Sequence, residues 1–201
     1  MEIYKGGTIF VLSAPSGTGK TTICERLIKS FPNLKMSISH TTRKPRIGER
    51  DGVDYFFVEK EVFEKMIKNN EFVEWAEVYG NFYGTSKKLI NELLQSGNDI
   101  LLDIDIQGAK NIKKTYPDSV LIFILPPSFE ELERRLKERK EDIDTIKKRL
   151  SKAKEEISQY KYYDYLVIND DLDKAVNEIL CIINAEKLKI NRVKQQIINN
   201  F

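Results

Sequence analysis

The stretch from Thr8 to Ser30 constrains the fold more than any other part of this chain. Thr8 to Leu12 reads TIFVL, a short β-branched and apolar run of the kind that forms a strand buried on both faces. The loop Ser13-Ala14-Pro15-Ser16-Gly17-Thr18-Gly19 follows at once. From Lys20 the apolar residues Ile23, Leu27 and Ile28 recur at helical spacing until Phe31-Pro32-Asn33 ends the pattern. Residues 14–21, APSGTGKT, match the phosphate-cradling pattern G-x-x-x-x-G-K-[ST] at every fixed position except the first, where Ala14 stands for glycine. Between a strand and a helix, such a loop aims successive backbone N–H groups and a helix N-terminus at one anionic cluster. Ser13 to Thr21 are therefore expected to hold the phosphates of a nucleoside triphosphate. Lys20 would guide the moving phosphoryl group, and the Thr21 hydroxyl would ligate Mg²⁺.

The alternation continues downstream. Ile100 to Ile104, Val120 to Leu125 and Tyr165 to Ile168 read as strands with helical patterns between them, and a helix begins near Leu172. This predicts an α/β fold: a P-loop NTPase-type parallel sheet with helices on both faces. At 201 residues, one domain with a sizeable core suffices. The charge balance, 33 basic against 31 acidic residues, provides no global field for nucleic acid or an anionic membrane, so an anion site must be local. Cys24 and Cys181 lie in helical patterns without metal-ligand spacing and read as core residues of a reduced chain. The first residues contain no apolar signal segment, and no apolar run is long enough to span a membrane; a cytoplasmic protein, monomer or homodimer, is expected.

Two stretches break the rhythm. Residues 37–86 are dense in aromatics, hydroxyls and charges, with strand candidates at Tyr55–Val58 and Phe72–Tyr79 around a helix near Glu61–Asn69. This predicts an inserted small α+β subdomain. Residues 126–155 open on Pro126-Pro127 and read as two charge-rich helices with a break near Lys140–Asp142, a pattern that suits either a mobile lid or an ordinary solvated pair. The core is then 1–36, 87–125 and 156–201. The polar tail KQQIINN is expected to fray.

A P-loop specifies a nucleoside triphosphate and leaves the acceptor open. Arg43 and Arg46 lie close together in a loop with Pro45 and Gly48, and Tyr55 is near in sequence. Paired guanidinium forks and phenol hydroxyls suit a phosphate monoester. With these in place, the runs SAPSGTGK, SHTTRKPRIGE, EFVEWAEVYGNFYGTS and LDIDIQGA resemble the guanylate kinase family in order and spacing, over roughly residues 6–185. The resemblance implies that residues 37–86 bind GMP. Arg43, Arg46, Tyr55 and Tyr83 would hold its phosphate, and Ser39, Glu74, Thr85 and Asp105 would read guanine. It also implies Asp103 near Mg²⁺, Arg135 and Asn169 at the ATP adenine region, and Arg139 and Arg149 reaching the phosphates. Arg134 reads as a solvated helix charge, and His40, in the loop between Ser39 and Thr41, as non-catalytic. Lys20, Arg43, Arg139 and Arg149 are the expected catalytic residues.

The chemistry agrees with the base assignment. Guanine offers N1–H and N2–H side by side, which one carboxylate accepts together, and adenine lacks that pair. The expected activity is Mg²⁺-dependent transfer from ATP to GMP. The rivals are a related P-loop kinase for another phosphorylated acceptor and a non-catalytic protein-binding module of the same fold.

Overall fold

The computed structural model describes residues 6–78, 80–138 and 142–193. Arg139, the turn at Lys140, the last residue of the predicted strand to Tyr79 and the tail from Lys194 lie outside the described residues. In chain order the elements are β1 (Ile9–Ser13), α1 (Lys20–Ser30), β2 (Leu34–Met36), β3 (His40–Thr41), β4 (Phe56–Phe57), α2 (Lys60–Lys68), β5 (Phe72–Val78), β6 (Asn81–Ser86), α3 (Lys87–Gln95), β7 (Asp99–Asp103), α4 (Ile106–Thr115), β8 (Val120–Leu125), α5 (Phe129–Glu138), α6 (Ile143–Ser158), β9 (Tyr165–Ile168) and α7 (Leu172–Lys187).

Five strands form a parallel sheet in the order β2-β7-β1-β8-β9. Because strand side chains alternate, β1 supplies both faces of the core. Phe10 and Leu12 pack with Leu101, Ile122 and Ile124 under α1 and α7. Ile9 and Val11 pack with Ile100, Leu102 and Leu121 under α3 and α4. The α/β expectation with helices on both faces is met. Three helices start on an aspartate whose side chain accepts a backbone N–H three residues on: Asp105 from Gly108, Asp142 from Thr145 and Asp171 from Lys174.

A second sheet runs β4-β3-β6-β5. Sequence reading assigned strand character to β5 and to the neighbourhood of β4, but not to β3 or β6, and it also missed β2. His40 thus lies in a strand rather than a loop, stacked on Phe56 at 4.9 Å between ring centroids. Gly80, at φ 77, turns the chain between β5 and β6. Phe63 of α2 stacks on Phe72 and Phe82 and covers this sheet. α4 packs against β5 and joins the two sheets.

The charge-rich helices α5 and α6 share an apolar seam of Leu132, Leu136, Ile146 and Ala153. Cys24 is buried as expected, whereas Cys181 is exposed. Residues of α7 such as Ile179 and Ile183 point into the sheet, and the helical period turns position 181 away from it.

Candidate functional site

The P-loop leaves the carboxyl end of β1 and enters α1 through two glycines of left-handed conformation, Gly17 (φ 98) and Gly19 (φ 93). A Cβ on Gly19 would come within 2.8 Å of the Asn169 amide nitrogen, and one on Gly17 within 3.0 Å of Leu136. Thr18 is buried, and its hydroxyl donates to the Pro15 carbonyl at 2.8 Å. The loop is also held from outside. Asn169, just after β9, donates to the Thr18 carbonyl at 2.7 Å. Arg135 donates to the same carbonyl at 3.3 Å and to the Asn169 carbonyl at 3.1 Å, while Arg149 donates to the Ser16 hydroxyl at 3.0 Å. Residues 14–22, Asp103 and Glu156 line a cavity of about 330 Å³ over this loop.

Inside it, Lys20 Nζ lies 2.5 Å from Asp103 Oδ1 and 3.3 Å from the Ile104 carbonyl. β1 and β7 are adjacent and parallel, so the lysine that follows one strand meets the aspartate that ends the other. Ser13 ties the two strand ends by donating to the Ile104 carbonyl at 2.9 Å. Thr21 is exposed in the first turn of α1. Glu156 of α6 also faces the cavity, and burial pushes its carboxyl above the ordinary range while Lys152 and Lys20 pull it down. Among the described residues no three acidic, His or Cys side chains form a metal cluster. One hydroxyl and one carboxylate are hard oxygen donors that fit Mg²⁺ arriving on phosphates with much of its water shell.

On the second sheet, Arg43 follows β3, Tyr83 lies on β6 and Tyr55 precedes β4. The Arg43 guanidinium carbon stands 5.3 Å from the centroid of the Tyr55 ring, and the Tyr55 and Tyr83 rings meet edge to face at 6.0 Å. Arg43 is two-pronged on Glu49, with Nη1 to Oε2 at 2.9 Å and Nη2 to Oε1 at 2.8 Å. Glu49, followed by Tyr83, holds the guanidinium well above its ordinary pKa. Arg46 is exposed, and its backbone N–H donates to Glu49 Oε2 at 2.7 Å. Burial raises the Tyr55 hydroxyl above its ordinary value, Tyr83 adds to the rise, and the Asp103 charge contributes from the parallel sheet.

Glu74 is buried on β5 and accepts from the Thr85 hydroxyl at 2.5 Å. A register shift between Phe72 and Glu74 sets Glu74 opposite Thr85, the re-aiming that a bulge performs. Among the described residues no cationic side chain pairs with Glu74. Burial raises its carboxyl above the ordinary range, the Thr85 bond opposes this, and the Asp105 charge adds to it. Asp105 is exposed and spends Oδ1 on capping α4. Ser39 is half-buried at the start of β3, and its carbonyl accepts from Phe56 N at 2.9 Å.

The fold thus brings together Ser13 to Thr21 with Asp103, Arg135, Arg149 and Asn169, and separately Arg43 with Tyr55 and Tyr83, and Glu74 with Thr85 and Asp105. Arg134 pairs with Glu131 and Glu138 on the surface of α5, as its solvated reading expects. Sequence reading gave no role to Glu49 or Glu156. Glu49 lies in the conspicuous TTRKPRIGE run, whereas nothing marks Glu156 among the charges of α6.

A parallel sheet with a P-loop after its central strand, and an arginine–tyrosine cluster beside a buried carboxylate, define the class as P-loop nucleotide kinases. The guanylate kinase family model matches residues 6–186. Guanylate kinase of Carboxydothermus hydrogenoformans is 53% identical over 193 residues, covering 96% of this chain and 95% of that protein. That of Clostridioides difficile is 51% identical, covering 98% and 97%. Among solved structures, guanylate kinase from Anaplasma phagocytophilum superposes with a TM-score of 0.77 at 38% identity, covering 95% of this chain and 92% of that one. The chain belongs to the guanylate kinase family and is a nucleoside monophosphate kinase. No helix among the described residues is long and apolar enough to cross a membrane.

Proposed function

We propose that the chain transfers the γ-phosphoryl group of Mg·ATP to GMP, giving ADP and GDP, as a cytoplasmic enzyme of purine nucleotide metabolism that recycles GMP. In this reading residues 37–86 hold the acceptor, residues 126–155 close over the donor, and the remainder is the nucleotide-binding core. The P-loop N–H groups bind the ATP phosphates, and Lys20 exchanges its ion pair with Asp103 for the β- and γ-phosphates. Thr21 and Asp103 would hold the cation, directly and through water; Mg²⁺ neutralises phosphate charge when bound. Arg149, already on the Ser16 hydroxyl of the P-loop, stabilises charge on the transferring oxygens. Arg139 serves the same end. Arg135 and Asn169 border the adenine, and Arg43, Arg46, Tyr55 and Tyr83 grip the acceptor phosphate. Closure excludes water and aligns the two phosphates for direct transfer without a covalent enzyme intermediate.

The buried carboxylate of Glu74 carries the choice of acceptor. Thr85 is a neutral donor to it, so it has acceptor capacity for guanine N1–H and N2–H, while Ser39 and Asp105 flank the base. A base without that donor pair leaves the carboxylate desolvated and unpaired, which supports a discrimination of about 10⁴-fold. A turnover panel of GMP, AMP, UMP and ribose phosphate with ATP tests the reading. GMP should be preferred by orders of magnitude, and comparable or faster turnover of another acceptor refutes it. Lys20→Ala should lower kcat by about 10²-fold or more while leaving thermal stability near wild type.

A further inference from the structure

Arg43 has five N–H donors, and Lys44 and Glu49 take three of them. Nη1 donates to the Lys44 carbonyl at 2.8 Å and to Glu49 Oε2 at 2.9 Å, and Nη2 donates to Glu49 Oε1 at 2.8 Å. The two that remain, Nε–H and the second Nη2–H, lie parallel along one edge of the planar group, the geometry that matches two oxygens of a phosphate. The carboxylate therefore occupies the end of the guanidinium and leaves its side edge. The Tyr83 hydroxyl interacts with the same guanidinium, and the Tyr55 ring lies beside it at 5.3 Å.

Glu49 is itself rigidly placed. Its Oε2 accepts the Arg46 N–H at 2.7 Å, and its own N–H donates to the Arg46 carbonyl at 3.1 Å. Gly48, at φ 92, makes this turn between Arg46 and Glu49. One carboxylate thus sets the rotamer of Arg43 and the backbone from which Arg46 projects. A freely rotating arginine would have to give up side-chain entropy when the acceptor binds, and this pairing removes that cost beforehand.

We propose that Glu49 is a positioning residue for the acceptor phosphate, fixing Arg43 so that its side edge and Tyr83 face the incoming phosphate monoester. The proposal rests on the GMP-kinase reading above. It opposes a second reading of the same contact, in which Glu49 substitutes for the phosphate in the empty site and is displaced by it. The two predict opposite signs: removing a positioning group weakens GMP binding, and removing a competitor tightens it.

The test measures dissociation constants for GMP and for guanosine, which lacks the phosphate, in wild type, Glu49→Ala, Glu49→Gln, Arg43→Ala and the Arg43→Ala/Glu49→Ala double variant. Glu49→Ala should weaken GMP by about 10-fold or more, with guanosine within about 2-fold of wild type. In the Arg43→Ala background, removing Glu49 should cost much less than in wild type, since the larger part of its effect passes through that guanidinium and only its hold on the Arg46 backbone is left. Glu49→Gln, which keeps the size and one acceptor oxygen, should fall between wild type and Glu49→Ala and serves if the alanine variant does not fold. GMP binding that is unchanged or tighter in both Glu49 variants overturns the proposal, as does an equal loss for GMP and guanosine. Wild type that fails to phosphorylate GMP sinks the functional reading and this inference together. Wild type that turns over GMP while the Glu49 variants bind it normally sinks this inference alone.

Discussion

Gly108 of α4 faces the Glu74 carboxylate so closely that a Cβ there would lie 3.2 Å from Glu74 Oε2 and 3.2 Å from Ile104 Cδ1. The glycine lets a helix of one sheet approach the buried carboxylate on the other, and its own N–H is engaged by Asp105. Gly108→Ala should displace Glu74 by a few tenths of an ångström. It should weaken GMP by about 5- to 10-fold, near 1 kcal/mol, with ATP affinity unchanged in equilibrium titrations.

Under the proposed function, Glu74 also makes acceptor binding sensitive to pH. It must be ionised to accept both guanine donors, and burial has raised its pKa above the usual carboxylate range. GMP affinity should fall as pH drops through that raised value, at pH where an ordinary carboxylate is still charged. The stability sign is the reverse: the folded chain retains a proton that the unfolded chain has lost, so ionising Glu74 makes its stability contribution fall as pH rises through the same window. Glu74→Gln should flatten the GMP profile and erode GMP-over-AMP preference. Unchanged discrimination in that variant would remove Glu74 from the base site.

His40 should give an opposite trend in stability. It lies against Phe56 and Phe72, its Nδ1 has no protein partner, and burial lowers its pKa below 6.5 although Glu71 and Asp51 pull it upward. The unfolded chain then takes up a proton that the folded chain refuses. Its stability contribution, fully present above about pH 6.5, should be lost as pH falls toward the lowered value. His40→Phe should reduce the drop in Tm between pH 7 and pH 5 with little change in kcat at pH 7.5.

Asn169 reaches the P-loop from 151 residues away to bind the Thr18 carbonyl. Asn169→Ala should loosen the loop rather than unfold the chain. An increase of about 5- to 20-fold in KM for ATP is expected, with stability lowered by about 1 kcal/mol, as read by steady-state kinetics and denaturant melts.

Far from the site, buried Glu186 accepts from the Tyr165 hydroxyl at 2.5 Å and pairs with Lys189 at 2.6 Å and Arg192 at 3.7 Å. Glu186→Ala takes the acceptor from the Tyr165 hydroxyl and the countercharge from Arg192, whose side chain is only 16% exposed and keeps its bonds to Thr8 and the Asp118 carbonyl. A loss of about 2 kcal/mol in denaturant melts is expected, with the KM for ATP and for GMP unchanged at temperatures where the variant is folded.

The amino-acid sequence alone determined the local pieces. The apolar run before Gly17 and Gly19 specified strand, turn and helix, because a buried strand and two left-handed positions leave a chain few choices. The family resemblance in the Arg43–Glu49 and Phe72–Ser86 runs indicated the acceptor region in the same way. The short strands β2, β3 and β6 left no readable period: two or three residues cannot express one, and β6 follows β5 through a turn within one aromatic run. What only the tertiary structure decided is who meets whom across long separations. Lys20 finds Asp103 because β1 and β7 are neighbours in the sheet. Glu74 faces Thr85 because a bulge shifts the register by one, and Glu156 joins the P-loop cavity because α6 packs back over that loop. Side-chain pairing between distant segments depends on sheet order and helix docking, and these are set by burial of the whole core rather than by any local pattern.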